Sequence, residues 1–315
     1  MGAGSAQALR FAVIVVSFAS SDLLRRNAAA LELPDDARLV VVDCFSGEAE
    51  REQVRALAAQ QGWEALLLDA NAGFGGGTNA GAARALQLGA RVLVALNPDA
   101  RIDDRSLEAL VAAVEADPML LASPTVLSGD GSPWFAGSDL YLADGVTRGA
   151  AARERFQGAP RREWATGACF AMSAALWRRL GGFDEDYFLY WEDIDLSHRA
   201  LDQGARLALV DAVVEHDWGG TQERERRSRA KSELYYYYNI RNRLLYAVKR
   251  LDAQAVQRWS GSAPRVAYGV LKRGGRRQLV TSVRPWRAYL RGLRDGRRLV
   301  RAAARTAPRN VERLP

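Results

Sequence analysis

The chain has 315 residues, 48% of them hydrophobic and 26% charged, which excludes a disordered or fibrous protein and allows a large buried core. Its net charge of +7 hides two opposite parts. Residues 222–315 hold 25 Lys and Arg against 6 Asp and Glu, a net of +19, which leaves 19 against 31, a net of −12, in residues 1–221. The two cysteines provide neither a disulfide framework nor a zinc-binding spacing. We therefore expect a cytoplasmic chain with an acidic globular part and a basic end that meets an anionic partner.

Strands are predicted where β-branched residues follow one another, and helices where apolar residues recur at helical spacing. The predicted strands are Phe11–Ser17, Arg38–Val42, Ala65–Leu68 and Val92–Leu96, and the predicted helices are Ser20–Leu31, Glu48–Gln61, Thr78–Leu88 and Arg105–Ala116. Residues 123–162 are rich in Gly, Ser, Asp and Pro and are expected to form short strands and a flexible loop. Because parallel strands place ligands at their carboxyl ends, one crevice should collect the strand-end residues Ser17, Asp43, Asn71 and Asp99.

A glycine-rich segment, NAGFGGGTNAG, occupies residues 71–81 after the third strand. Gly75, Gly77 and Ala80 have the spacing of a dinucleotide-binding turn, but that turn normally follows the first strand, and here two strand–helix units precede it. Bare amides at a helix start favour an anion, and Asn71 and Asn79 can add amide donors to a diphosphate or a ribose. The segment is predicted to be either a phosphate-binding turn or a plain tight turn.

Two candidate metal ligands follow strands. Asp99 comes directly after Pro98, which ends the fourth strand, and a carboxylate at that tip suits Mg²⁺ or Mn²⁺. The alternative is that Asp99 caps the next helix, a task for which Asp103 is better placed. His216 follows a last strand predicted at Arg206–Val210, and its imidazole suits Mn²⁺. The other histidine, at position 198, is interpreted as structural.

The segment GGFDEDYFLYWEDIDL at residues 181–196 sets several carboxylates among large aromatic rings. Acids that lose solvation have raised pKa values and become stronger proton acceptors, so the segment is interpreted as a proton-handling site. The alternative is a helix start at Glu192, Asp193 and Asp195, where acids oppose the helix dipole.

Read in order, these motifs resemble an inverting family 2 glycosyltransferase of the GT-A fold, of the rhamnosyltransferase-like group. The matching segments are VIVVSF (13–18), VVVD (40–43), NAGFGGGTNAG (71–81), LNPDA (96–100), residues 164–204, EHDWGGT (215–221) and YYYYNIRNRLLYAVKR (235–250). The resemblance implies an α/β fold with a Rossmann-like mixed sheet flanked by helices. A basic helical extension would follow it.

The resemblance also implies a role for each matching residue. Asp43 would hold a pyrimidine base with Ser17 beside it, and Asn71, Gly73 and Asn79 would line the nucleotide and the diphosphate. Asp99 would bind a divalent metal, with Asn97 in the place of the first acid of a DxD motif. Asp193 would be the base that deprotonates the acceptor hydroxyl, and Glu192 would orient it or touch the acceptor. Asp184 and Asp195 are expected to be structural.

The basic end carries a helical stripe of arginines beside apolar side chains. The stripe comprises Arg284, Arg287, Arg291, Arg294, Arg298, Arg301 and Arg305, and the apolar neighbours include Trp286, Tyr289 and Leu290. Such a helix can lie in a membrane interface, where acidic lipid head groups attract its cations. The alternative is a solvated helix packed on the domain. No nucleic-acid partner is expected, because no recognised reading module accompanies the arginines.

These inferences predict a glycosyltransferase domain at residues 1–221 and a membrane-associating helical region at residues 222–315. The predicted activity moves a sugar from a nucleotide diphosphate donor, with dTDP-L-rhamnose as the first candidate, to a glycan or lipid-linked acceptor in cell-surface polysaccharide synthesis. The predicted cofactor is Mg²⁺ or Mn²⁺, and the predicted location is peripheral, on the cytoplasmic face of the inner membrane. Two other functions stay open: a silent nucleotide-binding scaffold and a dinucleotide-dependent oxidoreductase.

Overall fold

The structure of the protein is a computed structural model that describes residues 9–216 and 231–306. Its first elements are β1 (Phe11–Ser17), α1 (Ser21–Arg26), β2 (Ala37–Asp43), α2 (Glu48–Gln61), β3 (Glu64–Leu67), α3 (Gly73–Gln87), β4 (Val92–Leu96), β5 (Ala100–Ile102), α4 (Asp104–Ala116), β6 (Leu120–Ser128), β7 (Pro133–Phe135), β8 (Ser138–Tyr141) and β9 (Val146–Gly149). The later ones are α5 (Ala152–Arg155), β10 (Arg161–Trp164), β11 (Cys169–Ser173), α6 (Ala174–Leu180), α7 (Glu192–Asp202), β12 (Arg206–His216), α8 (Glu233–Arg250), α9 (Ala253–Lys272), α10 (Gln278–Thr281) and α11 (Arg284–Thr306).

The main sheet is mixed, with the strand order β3-β2-β1-β4-β11-β6-β12-β5 and β7 paired to β6. The first four strands run parallel, β11 is antiparallel to both of its neighbours, and β12 is parallel to β6. Three short strands form a second sheet in the order β10-β8-β9. The parallel half therefore aligns the carboxyl ends of β1, β2 and β4 along one edge, as the alternation of strands and helices predicted.

Both faces of the main sheet are covered, which explains why β1 is an unbroken apolar run rather than an alternating one. All seven of its residues are buried. Phe11, Val13 and Val15 face a core completed by α2 and α4, while Ala12, Ile14 and Val16 face a core completed by α3, α6 and α7. The sheet is thus held between two apolar layers.

The glycine-rich segment corrects the predicted start of the third helix, because the chain is already helical from Gly73 onward rather than from Thr78. A Cβ atom on Gly77 would lie 2.7 Å from Val16 Cγ1, and one on Gly81 would lie 2.5 Å from Ile14 Cγ2. The glycines therefore allow α3 to lie directly against β1. The first helical amides are also occupied: Gly73 donates to Asn71 Oδ1 at 2.9 Å, and Phe74 donates to the carbonyl of Phe188 at 3.0 Å.

Other predicted elements differ mainly at their ends. The predicted helix Ser20–Leu31 is wrong in extent, since α1 ends at Arg26 and a 3₁₀ turn, Ala28–Ala30, follows it. The predicted strand Arg206–Val210 continues to His216 through an irregularity in its pairing with β6 between Leu209 and Val213. That longer strand carries His216 to the end of the sheet.

Backbone contacts group the chain into two compact units. The first comprises Met1–Leu140, Thr147–Gln157 and Arg162–Arg226, and the second comprises Tyr141–Val146, Gly158–Arg161 and Arg227–Pro315. The boundary predicted between residues 221 and 222 lies outside the described residues and stays a prediction. Among the helices of the described ranges, none combines the length and the apolar character needed to cross a bilayer.

In the second unit, one face of α11 packs on α8. Gly292 lies against Ile240, and Gly296 lies against Leu244, where an added Cβ would come within 3.0 Å and 2.9 Å of these side chains. One face of α11 is therefore occupied by packing within the second unit. Its arginines lie on the remaining surface.

Candidate active site

The ends of β1 and β2 bring Ser17 and Asp43 side by side, since the two residues are register partners in the parallel ladder. Both are fully buried. Ser17 Oγ lies 2.9 Å from Ser20 Oγ, and the amide of Cys44 donates to the carbonyl of Ser17 at 2.8 Å. These contacts fix the ends of β1 and β2 side by side at one edge of the sheet.

Asp43 is a buried carboxylate with one oxygen unused. Its Oδ2 accepts a hydrogen bond of 3.4 Å from Arg51 Nε, whereas its Oδ1 has no hydrogen-bond partner among the described residues. Burial raises the pKa of Asp43, and the Arg51 guanidinium opposes that rise. Because an unpaired buried acceptor is costly, Oδ1 is suited to accept an N–H group from a ligand.

The three asparagine side chains that were predicted to bind the donor differ in the hydrogen bonds that they make within the protein. Asn71 is exposed, and its Oδ1 accepts from Gly73. Asn79 Oδ1 accepts a hydrogen bond of 2.8 Å from the amide of Phe183, and Asn79 Nδ2 donates to the carbonyl of Phe183 at 3.0 Å. The same Nδ2 also donates to the Glu185 carboxylate. This geometry favours a structural role for Asn79, which ties α3 to the acidic segment, over the predicted contact with a nucleotide. Asn97 is half-buried at the end of β4.

Asp99 and His216 meet as the sequence predicted, because β12 pairs antiparallel with β5 and places His216 opposite Ala100. His216 Nε2 lies 3.2 Å from Asp99 Oδ1, and the imidazole stacks on Trp134 with ring centroids 5.1 Å apart. His216 Nδ1 is buried and makes no hydrogen bond to a described residue. The two side chains offer one oxygen and one nitrogen ligand of the types that Mn²⁺ accepts.

Asp99 and His216 could bind a divalent metal if other ligands came from the substrate and from water. Within the described ranges, no cluster of three or more His, Cys, Asp or Glu side chains could hold a metal. Mg²⁺ and Mn²⁺ are often bound by one or two protein ligands, with the other positions filled by substrate phosphate and water, so the pair fits a metal that arrives with its substrate.

The acidic segment adopts an unusual backbone before α7 begins. Phe188, Tyr190 and Trp191 all have left-handed φ angles, of 62°, 64° and 78°. Such angles are rare for residues with bulky side chains and cost free energy that the surrounding packing must offset. Trp191 also caps α7 without a side-chain hydrogen bond. The strained turn therefore delivers Glu192 and Asp193 to the positive end of a helix dipole.

Asp193 is held by two backbone amides. Gly167 donates to its Oδ2 at 3.1 Å and Ile194 donates to its Oδ1 at 2.8 Å. Burial raises the pKa of Asp193 to about 6, although these hydrogen bonds favour the ionised form. A carboxylate with such a pKa can accept a proton near neutral pH.

Glu192 is only 5% exposed, and its Oε2 makes no hydrogen bond to a described residue. Burial and the neighbouring negative charge of Asp193 raise its pKa well above the ordinary value. Two adjacent carboxyl groups that oppose each other's ionisation are typical of catalytic sites rather than of a plain helix start.

The other acids of the segment have protein partners. Asp195 is fully buried and pairs with Arg199 at 2.7 Å and with Tyr187 at 3.3 Å, while Asp184 caps the 3₁₀ turn Glu185–Tyr187. His198 is buried, and burial lowers its pKa to about 4, so it stays neutral at physiological pH. Their contacts are those expected of structural residues.

One short loop links the acid pair to the end of β4. Gly167 donates to Asp193, and the next residue, Ala168, accepts a hydrogen bond of 2.9 Å from the amide of Asn97. The loop thus ties the candidate base to the strand end that leads into Asp99. Proton acceptor and candidate metal ligands belong to one connected part of the first unit.

No protein-family model matches the chain. The chain is 24% identical over 242 residues to the low-salt glycan biosynthesis hexosyltransferase Agl10 of Haloferax volcanii, and the match covers 74% of each protein. It is 25% identical over 211 residues to an N-acetylglucosaminyl-diphospho-decaprenol L-rhamnosyltransferase of Mycobacterium tuberculosis, with 59% of this chain and 69% of the relative covered.

Two solved structures share the fold. The crystal structure of GalNAc-T7 with UDP, GalNAc and Mn²⁺ has a TM-score of 0.54 at 15% identity, covering 87% of this chain and 58% of the other. The mannosyltransferase PcManGT of Pyrobaculum calidifontis, in complex with GDP-Man and Mn²⁺, has a TM-score of 0.51 at 17% identity, covering 94% and 86%. The chain is a glycosyltransferase of the GT-A fold. The predicted resemblance to family 2 enzymes, the fold class and the enzyme class are confirmed.

Three residues of this glycosyltransferase contact candidate site residues and were not singled out from the sequence. Gly167 belongs to a segment that carries the resemblance, yet nothing in the sequence shows that its amide meets Asp193. Arg51 lies near the start of α2, and Trp134 is the middle residue of β7. The position of Trp134 in a stretch rich in glycine and serine was the one feature of the sequence that could have marked it as a site residue.

Proposed function

We propose that the enzyme transfers a hexose, with L-rhamnose as the first candidate, from a nucleotide diphosphate donor to a hydroxyl of a glycan or lipid-linked saccharide, with inversion at the anomeric carbon. The observation that carries this proposal is the acid pair at the start of α7. Asp193 has a pKa of about 6 and two amide donors, so it is oriented and poised to accept a proton. Cell-surface polysaccharide synthesis is the process such a transfer would serve.

In the proposed reaction, the acceptor hydroxyl oxygen attacks the anomeric carbon from the face opposite the leaving group. Its proton passes to Asp193, the bond between the anomeric carbon and the phosphate oxygen breaks, and the nucleotide diphosphate leaves with the electron pair. Glu192, which lies beside Asp193 and is buried with one oxygen that makes no hydrogen bond to a described residue, would orient Asp193 or contact the acceptor. The loop at Gly167 keeps the Asp193 carboxylate in one orientation throughout.

The donor site is proposed at the adjacent ends of β1 and β2. A pyrimidine base offers an imide N–H group, and the unused Oδ1 of Asp43 is a buried acceptor for such a group. Ser17 would lie beside the base, and Asn71 and Gly73 would approach the ribose and the diphosphate. The mycobacterial relative is named for L-rhamnosyl transfer to a diphospho-decaprenol acceptor, which supports rhamnose and a lipid-linked saccharide as first candidates.

We propose that Asp99 and His216 hold a divalent metal together with the donor diphosphate, with Asn97 near the same phosphates. When bound, the metal would neutralise charge on the departing diphosphate. Both structural relatives are complexes with Mn²⁺ and a nucleotide or nucleotide-sugar, which supports this class of cofactor. The stacking of His216 on Trp134 would hold the imidazole in place.

The test is a panel of nucleotide-sugars with the purified full-length protein and Mn²⁺. A donor that binds only the folded state raises the melting temperature, so we expect one nucleotide class to stabilise the enzyme and to be hydrolysed slowly when no acceptor is present. Chelation of the metal should abolish both effects. If no donor stabilises the protein and none is hydrolysed, the proposed function is wrong and a silent scaffold is favoured.

A further inference from the structure

Four large apolar side chains are exposed close together in the second unit, where α10 leads into α11. Val280 is 86% exposed, Val283 is 78% exposed, Leu290 is 65% exposed and Trp286 is 38% exposed. We call these four residues the apolar edge. Single exposed apolar residues are ordinary on a protein surface, but a cluster rimmed by charge marks an interaction site.

The apolar edge is a built feature rather than a frayed end. Val283 accepts the first hydrogen bond of α11, of 3.0 Å from Arg287, and the spacing of Val283, Trp286 and Leu290 places all three along one side of the helix. Trp286 Nε1 donates to the carbonyl of Leu279 at 2.9 Å, which fixes α10 and hence Val280 beside the start of α11. Tyr268 stacks on Trp286 with centroids 6.2 Å apart.

Cations surround the apolar edge. Residues 272–291 contain seven Lys and Arg and no Asp or Glu. Two of the seven, Arg287 and Arg291, pair with Glu233 at 2.6 Å and 3.8 Å. Within the described residues, the other five form no ion pair, so their charge is available to a partner: Lys272, Arg273, Arg276, Arg277 and Arg284.

We propose that the apolar edge docks on an anionic lipid bilayer. Valine, leucine and tryptophan side chains would enter the interface between head groups and acyl chains, and the surrounding cations would contact acidic head groups. A second copy of this chain does not complement the surface, because two such surfaces carry charge of the same sign. Nucleic acid would match the cations but would leave four apolar side chains in water. The proposal extends the proposed function, since a docked enzyme would meet a lipid-linked acceptor.

The experiment measures co-sedimentation of the full-length protein with vesicles, without donor or acceptor, so that its outcome is independent of sugar transfer. Vesicles of phosphatidylglycerol mixed with phosphatidylcholine are compared with vesicles of phosphatidylcholine alone. The test variant is Val280→Asp with Leu290→Asp. Its matched control is Val213→Asp with Leu209→Asp, which makes the same two substitutions at exposed positions of β12 in the first unit.

We expect the wild type and the control to bind the anionic vesicles and the test variant to bind about tenfold more weakly, because two apolar side chains that insert are replaced by acids. Binding should fall at high salt and on neutral vesicles. A milder variant, Val280→Ser with Leu290→Ser, checks that added negative charge is not the whole cause. The proposal would be overturned if the Val280→Asp, Leu290→Asp variant bound anionic vesicles as tightly as the Val213→Asp, Leu209→Asp control. It would also be overturned if the protein self-associated through the apolar edge in the absence of lipid.

Discussion

The acidic segment at residues 181–196 and the basic helix α11 both carry many charges, but the acids at the start of α7 lie largely inside the protein and the arginines lie at its surface. Glu192 is buried at the start of α7, with one oxygen that makes no hydrogen bond among the described residues, and Asp193 beside it is partly buried. On α11, Arg287 and Arg294 stand at the surface beside Glu233 and Asp295. A buried charge costs several kcal/mol, whereas an exposed pair contributes little, so only the first arrangement carries a cost that function has to explain.

The largest expected effect follows from removing the proton acceptor. We expect Asp193→Asn to lower the rate of sugar transfer about 1,000-fold, because an amide cannot take the proton of the acceptor hydroxyl. Its melting temperature at neutral pH should not fall, since the variant no longer buries a charge. The measurement is kcat with a saturating donor. Asp186→Asn, an exposed acid of the same segment, serves as the control, and equal loss in both variants would contradict the assignment.

The next effect concerns stability rather than rate. Asp195 is fully buried against Arg199, and removing one partner of a buried pair leaves the other uncompensated. We expect Asp195→Asn to reduce the free energy of unfolding by about 3 kcal/mol, measured by denaturant titration. An unchanged midpoint would show that the contacts of Arg199 with the carbonyls of Leu180 and Gly182 suffice without the ion pair.

A pH profile distinguishes the working acid from the structural ones. Asp193 must be ionised to act, so we expect kcat to fall about tenfold per unit below its pKa of about 6. Stability should move in the opposite direction. The folded state holds this proton to higher pH than the unfolded chain, so the stabilisation present in acid is lost as pH rises from 3.8 to about 6. Asp193→Asn should lack this part of the stability profile.

The smallest effect is expected on α11. Asp295 accepts hydrogen bonds from Arg294 and Tyr237 at the surface, and Arg298 lies 3.3 Å away. We expect Asp295→Asn to leave the denaturation midpoint nearly unchanged, because solvent and salt screen these contacts. If Asp295→Asn reduced the free energy of unfolding as much as Asp195→Asn does, the ion pairs of α11 and of the acidic segment would contribute equally to stability, contrary to the comparison above.

Much of the parallel half of the fold could be predicted from the sequence. The strands at Phe11–Ser17 and Val92–Leu96 and the helix at Glu48–Gln61 have the predicted bounds, because each is a strong local pattern between clear breaks. The glycine-rich start of α3 could not be predicted in this way. Local propensity disfavours a helix with four glycines in its first five residues, and the close approach of β1 overrides it.

The sequence could predict only those parts of the candidate site in which a side chain, rather than the backbone, performs the function. Asp99 and His216 were named because a carboxylate and an imidazole at strand ends suit a divalent metal, and the roles of Asp43 and Asp193 were implied by the resemblance. Backbone contributions left no such signal: the amide of Gly167 and the left-handed turn before α7 arise from tertiary packing. Asn79 shows the converse, since its motif suggested a ligand contact and its amide is used by the backbone of Phe183.

The left-handed angles at Phe188, Tyr190 and Trp191 have a consequence for how this enzyme can change. Each of these conformations costs on the order of 1 kcal/mol or more, and glycine would adopt it freely. Glycine would also make the turn more flexible, because it has many more accessible backbone conformations than the residue it replaces. Changes in substrate preference are therefore expected to leave these three residues unchanged. Substitution at any of them is expected to lower activity by displacing Glu192 and Asp193, even without a contact to the sugar.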